Sequence, residues 1–314
     1  MQLSKYRNKI VLVIGGTGFI GTNLCTRLLQ FGAKVYVVHK NKLSKYKKSS
    51  NVFYYLADVT VQFELEKLLK KIQPDYIFHL AADITRDRNV ENFRKSISTN
   101  LLGLLSLLES LVSLNYKIPL VIAGTAEEYG NNSLPFKENM QEKPISPYSL
   151  SKVFCTHLAK TFYLLYSLPI VTLRPTIAYG PGQKGDMFIP SLVSALKTNK
   201  EFKMTAGEQT RDFIFIEDLV DAYLLAGLCT KKIAGEIINV GYGKPYKLKY
   251  VAAQIGKFFG NSNKIKYGAY NYRAGELMQY FVDNSKAKRL LGWKPKITLK
   301  KGLKKTLEAT DKYE

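Results

Sequence analysis

The sequence predicts an α/β fold: a doubly wound parallel sheet with a smaller C-terminal α/β lobe. Three observations carry that prediction. Ile10 to Ile14 is a continuous apolar run rich in β-branched residues, the pattern of a strand buried on both faces. Gly15 to Gly21 joins it to a segment in which Ile20, Leu24, Leu28 and Phe31 recur at helical spacing. Strand-like and helical segments then alternate as far as Leu173, and repeated β-α-β units build parallel sheets.

Each element follows from its residues. Gly32 closes the first helix, since glycine takes the left-handed conformation at helix ends. Val35 to Val38 is the second strand and completes a right-handed βαβ unit. Val52 to Leu56 is a strand that leads to Asp58, and Val61 to Ile72 is helical. Tyr76 to Leu80 is a strand ending in Ala81-Ala82. Asn92 to Leu114 is a long helix with an apolar stripe, and Leu120 to Ala123 is a buried strand ending in Gly124-Thr125. Ser146 caps a second long helix that runs to Tyr166, with Pro147 suited to its first position. Ile170 to Leu173 is a further strand. After Tyr179-Gly180-Pro181-Gly182 the segments shorten, with loops around Gly207, Gly241 to Pro245 and Gly260 to Asn263. A second lobe begins here, and Phe213 to Ile216 is expected to return to the main sheet.

Composition narrows the function classes. A chain of 314 residues builds one large domain or two lobes, and an apolar fraction of 46% is ordinary for a globular enzyme. No apolar run approaches the ~20 residues that span a bilayer. Met1 to Lys9 is short and polar, so a cytoplasmic location is expected. Cys25, Cys155 and Cys229 are scattered, as are His39, His79 and His157, which suggests neither disulfides nor a metal site. The net charge of +22 comes mostly from dispersed lysines, with clusters at Lys40 to Lys48 and Lys294 to Lys305. The second cluster alternates with apolar residues like a solvated helix face. A lysine-rich surface is the reading, rather than nucleic-acid binding, and a phosphate-rich substrate suits the field.

Gly15, Gly18 and Gly21 form G-x-x-G-x-x-G between strand and helix. Glycine permits a tight turn and the close approach of a pyrophosphate, and the helix N-terminus offers N–H groups and a positive dipole end. A purely structural turn would also use glycine, but this setting favours dinucleotide binding. An acid about 20 residues on would bond a ribose 2′-OH. Here the second strand ends in His39-Lys40-Asn41-Lys42, without an acid. Basic groups there welcome a 2′-phosphate, so NADP is favoured over NAD. Asp58 falls where an adenine would lie; it accepts from the adenine amino group or caps the next helix. Ala81 and Ala82 are small enough to let backbone pass close to a cofactor.

Tyr148 and Lys152 share one face of the helix that Ser146 opens. An ammonium beside a phenol lowers its pKa from about 10, which makes a general acid/base. Tyr36 and Lys40 repeat the spacing at a strand end, where four residues span about 13 Å.

These motifs do not stand alone. His79-Leu80-Ala81-Ala82, Asn100, Gly124-Thr125-Ala126-Glu127-Glu128-Tyr129-Gly130, Arg174-Pro175 and Tyr179-Gly180-Pro181-Gly182 accompany them. So do Arg211-Asp212-Phe213-Ile214, Arg273-Ala274-Gly275-Glu276 and Leu291-Gly292-Trp293. In order and spacing the chain resembles the extended short-chain dehydrogenase/reductases, in their nucleotide-sugar epimerase/dehydratase/reductase branch, over nearly its whole length. The resemblance implies a Rossmann-type dinucleotide-binding domain at 1–179, with parts of 205–240 returning to it, and a nucleotide-sugar-binding lobe at 180–314.

It also implies roles. Tyr148 would move a proton on a sugar hydroxyl or keto oxygen, and Thr125 would bond the same oxygen. Lys152 would lower the pKa of Tyr148 and bind the nicotinamide ribose, and Asn100 would help position that lysine through water. Thr17, Phe19, Ile20, Val59, Leu80 and Pro175 complete the implied cofactor contacts. Asp83 joins Thr125 on the substrate side, and Arg211 and Arg273 would grip the diphosphate, which suits an arginine fork. The two long helices match the pair that forms a four-helix homodimer interface. No nucleic-acid or membrane partner is implied.

Glu127 bears on the reaction type. In the 4,6-dehydratases of the family an acid pair follows the Ser/Thr; here Ala126 stands at the first place and Glu127 at the second. Ile177 stands where the family often has a substrate-contacting Asn. The expectation is an NAD(P)-dependent enzyme that passes hydride at C4 of a nucleotide sugar. A 4-ketoreductase or 4-dehydrogenase ranks first, a 4-epimerase second and a 4,6-dehydratase third. A Rossmann-fold sensor or nucleic-acid binder is the competing class; its support is the charge, and an intact Thr125, Tyr148 and Lys152 stand against it.

Overall fold

The computed structural model describes residues 2–40, 51–85 and 87–310. Six strands lie along the first part of the described chain: β1 (Ile10–Ile14), β2 (Lys34–His39), β3 (Val52–Leu56), β4 (Tyr76–His79), β5 (Leu120–Ala123) and β6 (Ile170–Pro175). The helices between them are α1 (Phe19–Gln30), α2 (Gln62–Ile72), α3 (Val90–Ser96), α4 (Gly103–Ser113) and α5 (Pro147–Tyr166). The later elements are β7 (Ile177–Tyr179), α6 (Phe188–Lys197), β8 (Phe202–Lys203), β9 (Thr210–Phe215), α7 (Ile216–Cys229) and β10 (Ile237–Val240). β11 (Pro245–Lys247), α8 (Leu248–Phe259), β12 (Ile265–Lys266), α9 (Ser285–Leu291) and α10 (Leu299–Glu308) complete the described chain.

The main sheet has seven strands in the order β3-β2-β1-β4-β5-β6-β10, and every neighbouring pair is parallel. The apolar run of β1 divides between two cores. Val11 and Val13 join α1 and α7 on one face, while Leu12 and Ile14 join α2, α4 and α5 on the other. Strand order reverses between β1 and β4. Ligands of such sheets bind outside the carboxyl ends of the strands at that point.

Two expectations are corrected. The stretch from Phe213 does not rejoin the main sheet. β9 pairs with β7 and β11 in a separate three-stranded sheet, and Asp212 fastens it there by accepting from the N–H groups of Tyr242 and Gly243 at 2.8 and 2.9 Å. β10 occupies the edge beside β6 instead, and the chain from Ile216 returns to the main sheet as helix α7.

The helix expected from Asn92 begins at Val90, because Asn89 caps it by accepting from Asn92 N at 3.1 Å. A π-helical stretch, Ile97–Leu102, interrupts it before α4. Val90–Ser113 is 24 residues long and contains an 18-residue window with a mean hydropathy of 1.3, enough to cross a membrane by length and composition, although no unbroken apolar run predicts this. Half of its apolar window is buried in the protein, and Ser106 and Ser110 donate to the carbonyls of Thr60 and Gln62. In this fold it is a core helix.

Candidate active site

The glycine turn divides into two kinds of glycine. A Cβ on Gly15, whose φ is +85°, would lie 2.5 Å from the Ala81 nitrogen, and one on Gly21 would lie 2.2 Å from the Gly15 oxygen. These two serve the protein's own packing, and the small Ala81 is approached by Gly15. Gly18 differs: it is exposed, and a Cβ there would meet nothing nearer than the Gly15 oxygen at 3.5 Å. It stands at the N-cap of α1 with no side-chain cap, between Thr17 and the half-buried Phe19 and Ile20. An uncapped helix start without a Cβ wall fits a pyrophosphate. Leu80 N donates to Ile14 O at 2.8 Å and holds the neighbouring strand end against this turn.

At the end of β2, where an adenosine is expected, the missing acid comes from the end of the neighbouring strand β3. Lys40 Nζ lies 2.9 Å from Asp58 Oδ2. The hydrogen bond from Thr60 N and then Lys40 hold the Asp58 carboxyl down at about 2. Asp58 therefore caps the Thr60 turn and neutralises the lysine expected to meet a 2′-phosphate. His39 packs edge-on to Tyr54, and Val59 packs against Gly103 of α4. Asn41, Lys42 and the rest of the basic cluster through Lys48 lie outside the described residues.

At the ends of β5 and α5 the structure brings Thr125, Tyr148 and Lys152 together. The capping box at Ser146 starts α5: Ser146 Oγ accepts from Ser149 N, and Ser149 Oγ from Ser146 N, both at 3.0 Å. Tyr148 lies in the first turn and hydrogen-bonds the Thr125 hydroxyl. Lys152 is buried, and its ammonium donates to the Ala123 carbonyl at 2.8 Å. The expected lowering of the Tyr148 pKa is absent from this arrangement. Burial, then the nearby Glu127 carboxylate, pushes the phenol above its ordinary value, and the bond to Thr125 offsets only part of that. Lys152 is aimed at Ala123 and is itself pushed down by burial. His79 beneath it is neutral: burial, then Lys152, lowers its pKa to about 3.

Asn100 is closed off from the open surface. It is buried in the π-helical stretch, where its side chain clamps the Asp83 backbone from both sides and donates to Ser151 Oγ at 2.8 Å. It thus fixes the residue beside Lys152 and the loop after Ala82. The Asp83 carboxylate is engaged by Thr85 at 2.7 Å and Lys95 at 3.3 Å. Pro175 is buried at the end of β6.

Glu128 and Arg174 form a network that sequence reasoning missed. Glu128 accepts from Thr125 N, Thr156 Oγ1 and Arg174 Nε, each at 2.8 Å, and both members of the ion pair are fully buried. Arg174 also reaches Glu142 at 2.6 Å and stacks over Tyr129. The pair holds the turn that presents Thr125 and Glu127. Ala126, at the first position of the expected acid pair, is fully buried.

On the far side, Arg211 is half-buried and already occupied. Its Nη1 donates to the carbonyls of Thr210 and Leu277 at 2.7 Å, and its Nη2 pairs with Glu276. Arg273 is exposed and forms no ion pair among the described residues. Tyr280, also missed, is buried against Phe136, and burial, then the nearby Glu127 carboxylate, pushes its phenol well above the ordinary value. Ile177 packs into the core beside this group.

A seven-stranded parallel sheet with a glycine turn at its switch point and a Thr-Tyr-Lys group beside it is the architecture of a short-chain dehydrogenase/reductase enzyme. The sequence model of the family described as GDP-mannose 4,6 dehydratase matches residues 12–306, and the chain belongs to that family, within the extended short-chain dehydrogenase/reductases. It is 31% identical to a UDP-glucuronate 4-epimerase of Thermodesulfobacterium geofontis, over 94% of each chain. It is 30% identical to a dTDP-glucose 4,6-dehydratase of Haemophilus influenzae, over 95% of this chain and 96% of the other. Its structure resembles that of a dTDP-glucose 4,6-dehydratase from Bacillus anthracis in complex with NAD. The TM-score is 0.87 at 26% identity, covering 98% of this chain and 97% of that one.

Proposed function

We propose that the protein oxidises and re-reduces C4 of a pyrimidine nucleoside diphosphate hexose and acts as a 4-epimerase with NAD as its cofactor. The observation that carries this reading is the meeting of Thr125, Tyr148 and Lys152 beside an open glycine turn. A bound nicotinamide supplies the hydride acceptor and donor. The positive charge of an oxidised nicotinamide would favour the phenolate that burial disfavours, and Tyr148 in that form would take the proton of the C4 hydroxyl and return it while Thr125 held the same oxygen. Lys152, fixed on Ala123, orients the ribose. Arg211 and Arg273 receive the diphosphate.

Two observations rank the outcomes. Elimination needs an acid and a base near the reacting carbons. Ala126 is buried, and Glu128 is consumed by Arg174, which leaves Glu127. This supports epimerisation over dehydration. Asp58 neutralises Lys40, which removes the described part of the argument for NADP and for net reduction. The relatives' names divide between 4-epimerase and 4,6-dehydratase, and the similar dehydratase structure with NAD supports the choice of cofactor alone. Cytoplasmic homodimers complete the reading, with Phe154, Leu158 and Leu165 along the outer face of α5 as the contact stripe.

Product analysis by NMR with UDP-glucose, UDP-glucuronate and dTDP-glucose tests this. Inversion at C4 with catalytic NAD supports it; a 4-keto-6-deoxy product or stoichiometric consumption of NADPH overturns it. Tyr148→Phe should keep nucleotide binding and lose about 10²–10⁴-fold in turnover, the usual contribution of general acid/base catalysis. Near-normal turnover would remove Tyr148 from this role.

A further inference from the structure

Arg211 carries an anion of its own before any substrate arrives. Its guanidinium is fixed on one edge, where Nη1 donates to two main-chain carbonyls, Thr210 O and Leu277 O. Its other edge holds the Glu276 carboxylate through Nη2. The pair is partly shielded, with side-chain exposures of 16% and 18%. The turn that bears Glu276 is independently held. Glu276 N donates to Arg273 O at 3.0 Å, and Arg88, from the loop after β4, donates to Ala274 O at 2.7 Å across the cleft. The carboxylate can therefore leave the guanidinium by side-chain rotation, with the turn and the arginine anchored as they are.

A carboxylate and a phosphate compete for the same N–H edge of an arginine, because both offer paired anionic oxygens. We propose that Glu276 is an internal stand-in for the substrate's diphosphate: it occupies Arg211 in the free protein and is displaced when a nucleoside diphosphate binds. This rests on the reading that Arg211 receives the diphosphate. The stand-in keeps a half-buried cation paired in the free state and raises the threshold for weak anions. Binding then exchanges one charge-assisted pair for another, and apparent affinity falls in proportion to the fraction of Arg211 that Glu276 occupies.

The test is a calorimetric titration with UDP, a probe without sugar, of the wild-type protein, Glu276→Gln, Arg211→Gln and the double variant. Glu276→Gln should bind UDP about twofold to fivefold more tightly, the range for a partly exposed ion pair. Arg211→Gln should lose most binding, and adding Glu276→Gln to it should restore nothing, since the competition needs both partners. A tightening that persists in the Arg211→Gln background would mean simple through-space repulsion and would overturn the inference. Unchanged or weaker binding by Glu276→Gln, with binding lost in Arg211→Gln, would overturn it while the diphosphate reading stands. Normal binding by Arg211→Gln would overturn both.

Discussion

Glu128 sits where its removal should cost most. It is the shared acceptor for Thr125, Thr156 and Arg174, all within a sealed pocket. Glu128→Ala leaves a buried guanidinium short of its partner, so a loss of about 3–5 kcal/mol is expected in chemical denaturation. Tyr148 and Lys152 could be picked out in the sequence by their shared helix face, and Thr125 only through the resemblance, because the Tyr-x-x-x-Lys spacing recurs at Tyr36 and Lys40. Glu128 could not be: it looks equivalent to Glu127, and its partner Arg174 lies 46 residues on. Only the folded sheet brings them together. Asp58 and Lys40 illustrate the same limit. Asp58→Asn should release Lys40 and shift the NADP-to-NAD affinity ratio upward, on the order of tenfold, in a fluorescence titration; an unchanged ratio would remove Lys40 from the cofactor. The phenol of Tyr148 gives a pH test with a clear sign. Burial disfavours its charged form, so in the cofactor-free protein it stays protonated up to and beyond the ordinary value of about 10. A raised pKa means that this group's share of stability is full below about 10 and is lost as pH rises further. An ultraviolet difference titration against Tyr148→Phe should show no ionisation step below that range.

At the scale of elements, periodicity carried most of the fold. β1 reads as a doubly buried strand because Val11 and Val13 serve one core while Leu12 and Ile14 serve the other. The capped start of α5 was legible from Ser146 and Pro147. What escaped was non-local. Phe213 to Phe215 and Ile237 to Val240 are both short and mostly apolar, and which one lies beside β6 depends on Asp212 and the loop it fastens. The glycine turn yields a prediction at this scale. Gly21→Ala would drive a Cβ into the Gly15 carbonyl and should unfold or strongly destabilise the domain, whereas Gly18→Ala should fold with a near-native melting curve. The Gly18 variant should still bind dinucleotide more weakly, since the added methyl stands where a pyrophosphate approaches. Equal stability losses for the two would contradict this division of labour.

For the whole molecule, the charge of +22 belongs to a surface of dispersed lysines such as Lys300, Lys301 and Lys304, exposed along α10 over buried Leu299, Leu303 and Leu307. It favours the approach of phosphate-bearing substrates without naming one. Assembly is tested by sedimentation: the reading expects twice the chain mass of 35.6 kDa, and a shift to monomer when Phe154 and Leu165 are both replaced by Glu. The central claim is that hydride leaves and returns at C4 of a nucleotide sugar. Its most direct measurement uses UDP-glucose deuterated at C4 and follows the label by mass spectrometry during a single turnover with NAD. The account predicts deuterium on the nicotinamide in an arrested turnover and again at C4 of the inverted product. Deuterium that never leaves C4, or that is lost to water, would contradict it.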